Sequence, residues 1–124
     1  YSFDIQDDII DTFASREQYG RTPGGDLARG KKPLHIVYTL KLADQRRLDT
    51  LRSIVGKKLL SRRDLEGIRA IVRECGALEA AKEVSRKHAE RAKVLIDQTS
   101  LNSETKGFFS SLISYIEGSL EWYK

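Results

Sequence analysis

The sequence predicts an all-α protein, and three observations support that class. Apolar residues recur at three- and four-residue spacing in several segments, which is the period of a helix that buries one face. No segment shows the strict apolar and polar alternation typical of a half-buried strand. The composition, 40% apolar and 32% charged, is that of an ordinary helical domain. At 124 residues, we expect one helical domain over 1–124.

The first fifteen residues carry four aspartates whose spacing of i, i+3, i+4 and i+7 places them on one helix face. They are Asp4, Asp7, Asp8 and Asp11. The opposite face collects Phe3, Ile5, Ile9, Ile10 and Phe13, and we expect it to be buried. Like charges one turn apart destabilise a helix by about 0.3 kcal/mol each, so the stripe suggests a bound cation. Mg²⁺ is the natural candidate because it bridges carboxylates to substrate phosphates, and a solvated acidic face is the alternative.

Residues 16–33 contain four glycines, both prolines and five basic residues, and we predict a basic, glycine-rich loop here. Glycine allows the backbone to approach an anion closely. The side chains of Arg21, Lys31 and Lys32 can bind phosphate by charge. A flexible linker with solvated charges is the alternative interpretation.

Apolar periodicity and capping residues predict five further helices. The first follows Pro33 and runs to about Ala43, with an inward stripe of Leu34, Val37, Tyr38, Leu40 and Leu42. The second spans 44–55 and stops at Gly56, with Leu48, Leu51, Ile54 and Val55 inward. The third begins at Ser61, with Asp64 three residues later, and closes at Cys75-Gly76, with Leu65, Ile68, Ile71 and Val72 inward.

The fourth of these helices is the longest and covers residues 77–98. Its predicted inner side is Leu78, Ala81, Val84, Ala92, Leu95 and Ile96, and its other side is Lys, Arg and Glu. A turn at 101–103 leads to the last helix, which Ser103 caps. We interpret its apolar side chains as core: Phe108, Phe109, Leu112, Ile113, Tyr115, Ile116, Leu120 and Trp122.

Several function classes are disfavoured by composition. The single Cys75 excludes an intramolecular disulfide and a cysteine-based zinc cluster, and we interpret it as a small core residue. Neither His35 nor His88 has a second ligand at metal-binding spacing. The net charge of +4 permits an anionic partner, but no aromatic and basic pattern indicates nucleic acid. No apolar run reaches the length of a membrane span, and we expect a cytoplasmic protein.

The acidic segment and the basic loop together resemble a known family. Residues 3–11, FDIQDDIID, resemble the second aspartate-rich motif, FQxxDDxxD, of trans-isoprenyl diphosphate synthases. Residues 20–31, GRTPGGDLARGK, are similar to the GKxxGxDLxxGK segment of that family, in the same order. Residues 74–81, ECGALEAA, are similar to the break that opens a late long helix in these enzymes.

The resemblance implies the C-terminal helical portion of the isoprenoid synthase fold and a prenyltransferase of isoprenoid biosynthesis. Such an enzyme condenses an allylic diphosphate with isopentenyl diphosphate, with Mg²⁺ as cofactor, and a short-chain product such as farnesyl or geranylgeranyl diphosphate is implied. Asp7 would bind the metal directly, and Asp8 and Asp11 would bind it or its waters. Asp26 would orient a metal-bound water. Arg21 and Lys31 would hold the diphosphate, so that Asp7, Asp8, Asp11 and Lys31 form the catalytic set.

The sequence departs from the family pattern at three positions. Asp4 replaces a glutamine and adds a charge beside the metal site, Arg21 replaces a lysine, and Pro33 stands near a usual threonine. The family's first aspartate-rich motif does not occur, so we expect a catalytically inactive fragment of a larger, homodimeric synthase. Two alternatives are a non-catalytic subunit of a heteromeric synthase and a basic helical module that binds nucleic acid or protein.

Overall fold

The longest helix provides the surface on which much of the rest of the molecule packs. The computed structural model describes residues 1–55, 57 and 59–123. Its elements are α1 Ser2–Phe13, α2 Arg16–Tyr19, α3 Gly25–Ala28, α4 Leu34–Leu42, α5 Gln45–Ile54, α6 Arg62–Glu74, α7 Ala77–Asp97, α8 Ser103–Ser119 and a final 3₁₀ turn Leu120–Trp122. Helices α1, α4, α6 and α8 contact α7, and α5 packs on α6. All regular structure in the described residues is helical, which confirms the predicted fold class.

Helix α6 forms as the sequence predicts. The Ser61 side chain accepts the backbone N–H of Asp64, whose carboxylate accepts the backbone N–H of Ser61. This reciprocal capping box satisfies two donors that a helix start otherwise leaves unpaired. The predicted inward residues Leu65, Ile68, Ile71 and Val72 are all buried. In α5, Leu51 and Ile54 are buried as expected; the predicted stop at Gly56 lies outside the described residues.

The predicted inward stripe of α4 is correct for Leu34 and Tyr38, which pack against the core, and wrong for Leu40 and Leu42. This helix buries His35, Ile36 and Thr39, whereas Leu40 and Leu42 are 43% and 52% exposed. A hydrogen bond of 3.0 Å joins the Thr12 hydroxyl to His35 Nε2 inside the protein. Two polar side chains that hydrogen-bond to each other can occupy core positions, and apolar periodicity does not detect such a pair.

The predicted core face of α8 is wrong as well. Phe108 and Tyr115 on α8 are 64% and 67% exposed, and Trp122 in the 3₁₀ turn is 62% exposed; within the predicted set only Leu120, in the same turn, is buried. Helix α8 contacts α7 and the 3₁₀ turn, so most of its apolar surface meets no neighbour in the described structure. Apolar periodicity shows that a face can be buried, but a neighbouring element must be present to bury it.

Two further expectations about faces are corrected. At the start of α1, Phe3 is 62% exposed, although Ile9 and Phe13 are buried as predicted. On α7, Lys82 is buried although lysine was placed on the outer side, and Leu95 is 52% exposed. The Lys82 ammonium lies 3.2 Å from Glu79, so the aliphatic stem is covered while the charge keeps a partner.

The segment 16–33 is more regular than the predicted loop, because α2 and α3 each form one helical turn within it. In the first of these turns, Ser15 and Gln18 form a capping box, and Gly20 ends the turn at φ 71°. A left-handed φ of this size favours glycine. No helix in the described part of the chain combines the length and hydropathy that crossing a bilayer requires.

Candidate functional site

The carboxylates of α1 divide into a free group and a bonded group. Asp7 is exposed and Asp8 half-buried, and within the described residues neither has a hydrogen-bond or ion-pair partner. Asp4 is exposed, and its carboxylate lies 3.5 Å from the amino group of Tyr1. Asp11 is buried. The four aspartates that the sequence places on one face therefore do not share one environment.

The carboxylate of Asp11 binds the segment that follows the helix. Its Oδ2 accepts the backbone N–H of Asp26 at 3.0 Å, and its Oδ1 accepts the Tyr19 hydroxyl at 3.2 Å. Its backbone carbonyl accepts the N–H of Gly24 at 2.6 Å. Hydrogen bonds to a charged acceptor are stronger than neutral ones, so Asp11 holds residues 19–26 against the end of α1.

The backbone conformation at Gly24, where residues 19–26 fold back onto α1, requires glycine. Its φ is 80°, in the left-handed region that residues with a Cβ rarely adopt. A Cβ added at this position would lie 3.1 Å from Leu65 Cδ1. The glycine therefore allows both the turn into α3 and the close approach of the segment to α6.

The carboxylate of Asp26 pairs with two cations, Lys31 and Arg29. Its carboxylate accepts hydrogen bonds from Lys31 Nζ at 2.9 Å and from the Arg29 guanidinium. Burial opposes the charged form of Asp26, but the hydrogen bonds and positive charges of Lys31 and Arg29 outweigh it, so its pKa lies below the ordinary value. The contact with Asp26 in turn raises the pKa of Lys31, so the ammonium is charged near neutral pH.

Burial and neighbouring carboxylates both oppose the charged form of Asp8. Its pKa is raised first by burial and then by the carboxylates of Asp26, Asp7 and Asp11, while Lys31 acts in the opposite direction. A cation placed here would relieve the repulsion. The accumulation of like charge around a half-buried carboxylate therefore fits a divalent metal.

The donor set fits Mg²⁺ shared with phosphate better than a metal held by protein alone. Among the residues that the structure describes, no group of three or more His, Cys, Asp or Glu side chains is arranged to hold a metal ion. Mg²⁺ commonly takes only one or two carboxylates and completes its octahedron with water and phosphate oxygens. Asp7 and Asp8 can supply those two carboxylates. Both oxygens of Asp11 already accept hydrogen bonds, so only its remaining lone pairs are available.

Arg21, the second candidate phosphate-binding cation, is held by an aromatic side chain. Its guanidinium donates a hydrogen bond to the Tyr19 hydroxyl and lies 4.4 Å from the centre of the Tyr19 ring. The hydrogen bond that Arg21 donates to Tyr19 is the largest cause that raises the pKa of Arg21, and the carboxylates of Asp11 and Asp7 raise it further. The guanidinium is thus within electrostatic reach of the acidic face.

Two residues that shape this site, Tyr19 and Arg29, were not among the candidates predicted from the sequence. A signal for Tyr19 was present, since Ser15 and Gln18 have the S-x-x-Q spacing of a capping box. That spacing predicts a helical turn, and a turn directs Tyr19 back toward α1. For Arg29 the i, i+3 relation to Asp26 was the available signal.

Comparison with known proteins identifies the family. The model of the polyprenyl synthetase family matches residues 1–72, more than half of the chain, including the acidic helix and the residues that fold back on it. The chain belongs to the polyprenyl synthetase family. The resemblance predicted from residues 3–11 and 20–31 is therefore confirmed.

Similar members of the polyprenyl synthetase family are prenyl diphosphate synthases. The chain is 32% identical over 116 residues to the geranylfarnesyl diphosphate synthase of Aeropyrum pernix, covering 93% of the chain and 35% of that protein. It is 28% identical over 115 residues to the heptaprenyl diphosphate synthase component 2 of Geobacillus stearothermophilus, covering 93% and 34%. The chain thus spans about a third of the length of these relatives.

A solved structure supports the fold. T. brucei FPPS, in complex with 2-(5-chlorobenzo[b]thiophen-3-yl)acetic acid, matches 97% of this chain and 35% of its own chain, with a TM-score of 0.69 and 21% identity. The likeness confirms that the chain has the all-α fold of a portion of that protein.

Proposed function

We propose that this chain supplies the diphosphate-binding part of a trans-prenyl diphosphate synthase, which condenses an allylic diphosphate with isopentenyl diphosphate. The observation that carries the proposal is the juxtaposition of two unpartnered carboxylates, Asp7 and Asp8, with the cations of residues 21–31. Carboxylates beside fixed cations suit a magnesium diphosphate, which has both cationic and anionic parts. The relatives support the substrate class, because those compared above are named as diphosphate synthases.

Each site residue then has a defined role. Asp7 would bind Mg²⁺ directly, with Asp8 and Asp11 on the metal or its waters, and Mg²⁺ would supply neutralisation of charge on the departing diphosphate. Lys31 and Arg21 would bind phosphoryl oxygens. Asp26 would hold a water of the metal shell, and Arg29 would keep its ion pair with Asp26 when Lys31 turns to the phosphate.

The reaction matches these residue types. The allylic C–O bond breaks, and its electron pair goes to the diphosphate, where fixed cations stabilise the charge as it develops. The alkene of isopentenyl diphosphate forms the new C–C bond with the allylic carbon, and the resulting cation then loses a proton to a base or solvent, the C–H electron pair forming a new double bond. Exclusion of water protects the electron-deficient carbon during these steps.

The test uses the complete gene product, with dimethylallyl and isopentenyl diphosphates in the presence of Mg²⁺. We expect Asp7→Asn to lower turnover at least a hundredfold and to weaken calorimetric binding of inorganic pyrophosphate with Mg²⁺ at least tenfold, because a metal ligand loses its charge. Asp97→Asn is the matched control, since Asp97 is an exposed aspartate at the end of α7. Unchanged pyrophosphate binding in Asp7→Asn would contradict the proposal.

A second candidate function is a non-catalytic subunit of a heteromeric prenyl diphosphate synthase. The relative named as component 2 of heptaprenyl diphosphate synthase supports a multi-component assembly, and the departures at Asp4, Arg21 and Pro33 favour a non-catalytic role within it. In that case Asp7→Asn would leave the turnover of the assembly unchanged. An unchanged rate combined with lost pyrophosphate binding would select this alternative.

Two further expectations accompany the leading proposal. The 124 residues assayed alone should not elongate dimethylallyl diphosphate, because the sequence contains no second DDxxD helix to face α1. The complete synthase should be a homodimer with a short-chain product, farnesyl or geranylgeranyl diphosphate. Product chromatography and light scattering test these two points separately.

A further inference from the structure

Tyr19 lies between the two charged groups that the proposed function assigns to metal and to diphosphate. The capping box of Ser15 and Gln18 starts the turn of α2, and Gly20 ends it in the left-handed region. This local geometry brings the Tyr19 hydroxyl to 3.2 Å from Asp11 Oδ1. The tyrosine is half-buried, and its ring packs against the hydrophobic core.

The hydroxyl of Tyr19 can serve both neighbours at once. A phenol has one hydrogen to donate and lone pairs to accept. Its hydrogen goes to Asp11, and its oxygen accepts from the Arg21 guanidinium.

The ring of Tyr19 provides a second contact for the same guanidinium. Arg21 Cζ lies 4.4 Å from the ring centre, a distance typical of a cation–π contact. Within the described residues Arg21 forms no ion pair with a carboxylate, and its link to α1 passes through Tyr19. The exposed arginine is therefore oriented by one aromatic side chain and not by a direct charge contact.

We propose that Tyr19 is a positioning residue for the diphosphate site: through its hydroxyl and its ring it holds the Arg21 guanidinium at the acidic face of α1. The inference rests on the proposed function. A free arginine must lose side-chain freedom when it binds phosphate, and an arginine already held by Tyr19 has lost much of it. Tyr19 thus increases affinity for the diphosphate without touching it.

The experiment is a double-mutant cycle on the complete gene product, with inorganic pyrophosphate and saturating Mg²⁺ as the calorimetric probe. Tyr19→Phe removes the hydroxyl but keeps the ring and its packing. We expect it to weaken pyrophosphate binding about fivefold, the effect of one side chain that must be ordered on binding. Arg21→Ala should weaken binding more, and adding Tyr19→Phe to Arg21→Ala should cause no further loss.

A structural role alone makes a different prediction. If Tyr19 only stabilises the fold, Tyr19→Phe and Arg21→Ala reduce affinity independently and their effects multiply in the double variant, which would overturn the inference. Any general loss of stability cancels in the cycle, because it is present in both backgrounds. Tyr38→Phe is the matched control, since Tyr38 also packs against the core, and it should leave affinity unchanged.

The failures of this inference and of the proposed function are distinguishable. If the unaltered protein shows no binding of pyrophosphate with Mg²⁺, both are overturned. If it binds, and Asp7→Asn abolishes binding while Tyr19→Phe matches the unaltered protein, the positioning role alone is overturned. Selective coupling between positions 19 and 21 supports it.

Discussion

The two ends of helix α1 have the same kind of sequence and opposite environments. At the amino-terminal end, Phe3 is 62% exposed, and the carboxylates of Asp4 and Asp7 face solvent. At the carboxy-terminal end, Asp11 and Thr12 are 3% and 0% exposed, each with a side-chain hydrogen-bond partner. Aspartate and an aromatic residue occur at both ends, so residue type does not cause the difference.

The difference arises from the elements that cover the carboxy-terminal end: His35 of α4 contacts Thr12, and residues 19–26 fold back onto Asp11. Residues 19–26 lie against the last turn of α1, where Asp11 accepts three of their hydrogen bonds, two at its carboxylate and one at its backbone carbonyl. The same covering brings Asp26 and Lys31 toward Asp8, whose pKa both of them affect. One end of the helix thus organises the site, and the remainder presents carboxylates to a ligand.

The largest expected effect concerns the pH dependence of the buried end. Burial lowers the pKa of His35 from 6.5 to about 4, so between these values the unfolded chain binds a proton there that the folded protein does not. Stability should be complete above pH 6.5 and fall by about 3 kcal/mol as the pH drops to 4, as urea unfolding at several pH values would measure.

A matched pair of variants isolates this histidine. His35→Gln can keep a hydrogen bond to Thr12 but does not titrate, so its stability should stay nearly flat over the same pH range. His88→Gln should keep the full loss on acidification, since this variant leaves His35 unchanged. Identical pH profiles for the two variants would show that His35 is not the source. The pKa of Asp26 is lowered, so its contribution to stability is lost only at pH values below the range in which His35 titrates.

The next effect tests Asp11 as the anchor of residues 19–26. Asp11→Ala leaves the Tyr19 hydroxyl and the Asp26 N–H without their acceptor, and we expect a loss of about 2 kcal/mol in the free energy of unfolding. Asp97→Ala, which removes an exposed aspartate, should change it little. Equal losses for the two variants in urea unfolding would contradict the anchoring role.

A smaller effect is expected at Gly24. The residue has φ 80°, so Gly24→Ala should cost about 1 kcal/mol from the left-handed conformation, with an added contribution from the contact with Leu65. Gly107→Ala is the control, because Gly107 lies within α8 with no atom near its added Cβ. Alanine there should stabilise the helix slightly. Thermal unfolding of both variants measures whether each substitution raises or lowers the melting temperature. A higher melting temperature for Gly24→Ala would contradict the expected strain at this position.

The sequence was sufficient to predict much of the fold, but not every buried face. Helix α6 was predictable because its capping box and apolar period agree, and Leu65 and Ile68 are buried as expected. Helix α4 was not, because His35 and Thr39 are polar residues whose burial depends on hydrogen bonds. The exposed aromatics of α8 show the reverse case, an apolar face without a neighbour in the described structure.

Within the candidate site, the acidic face of α1 and the basic segment 16–33 could be predicted from spacing and composition. The difference between the hydrogen-bonded Asp11 and the unpartnered Asp7 and Asp8 could not. Helical periodicity places Asp7, Asp8 and Asp11 on one face. It contains no information about a segment folding back from residues 19–26. The bonded state of Asp11 therefore required the tertiary structure, although the Ser15 and Gln18 capping signal indicated that a turn was present.

The smallest expected effect tests the free end of α1, where binding and stability should separate. Asp8→Asn removes a carboxylate whose pKa is raised by burial and by Asp26, so folding should not suffer, and the free energy of unfolding should rise or stay within about 0.5 kcal/mol. Pyrophosphate binding with Mg²⁺ should nevertheless weaken, because a proposed metal-binding carboxylate is lost. Urea unfolding and calorimetry on the same sample provide the two measurements. If Asp8→Asn loses stability and keeps its affinity for pyrophosphate, Asp8 stabilises the fold as Asp11 does. The ligand-binding end of α1 would then include Asp7 but not Asp8.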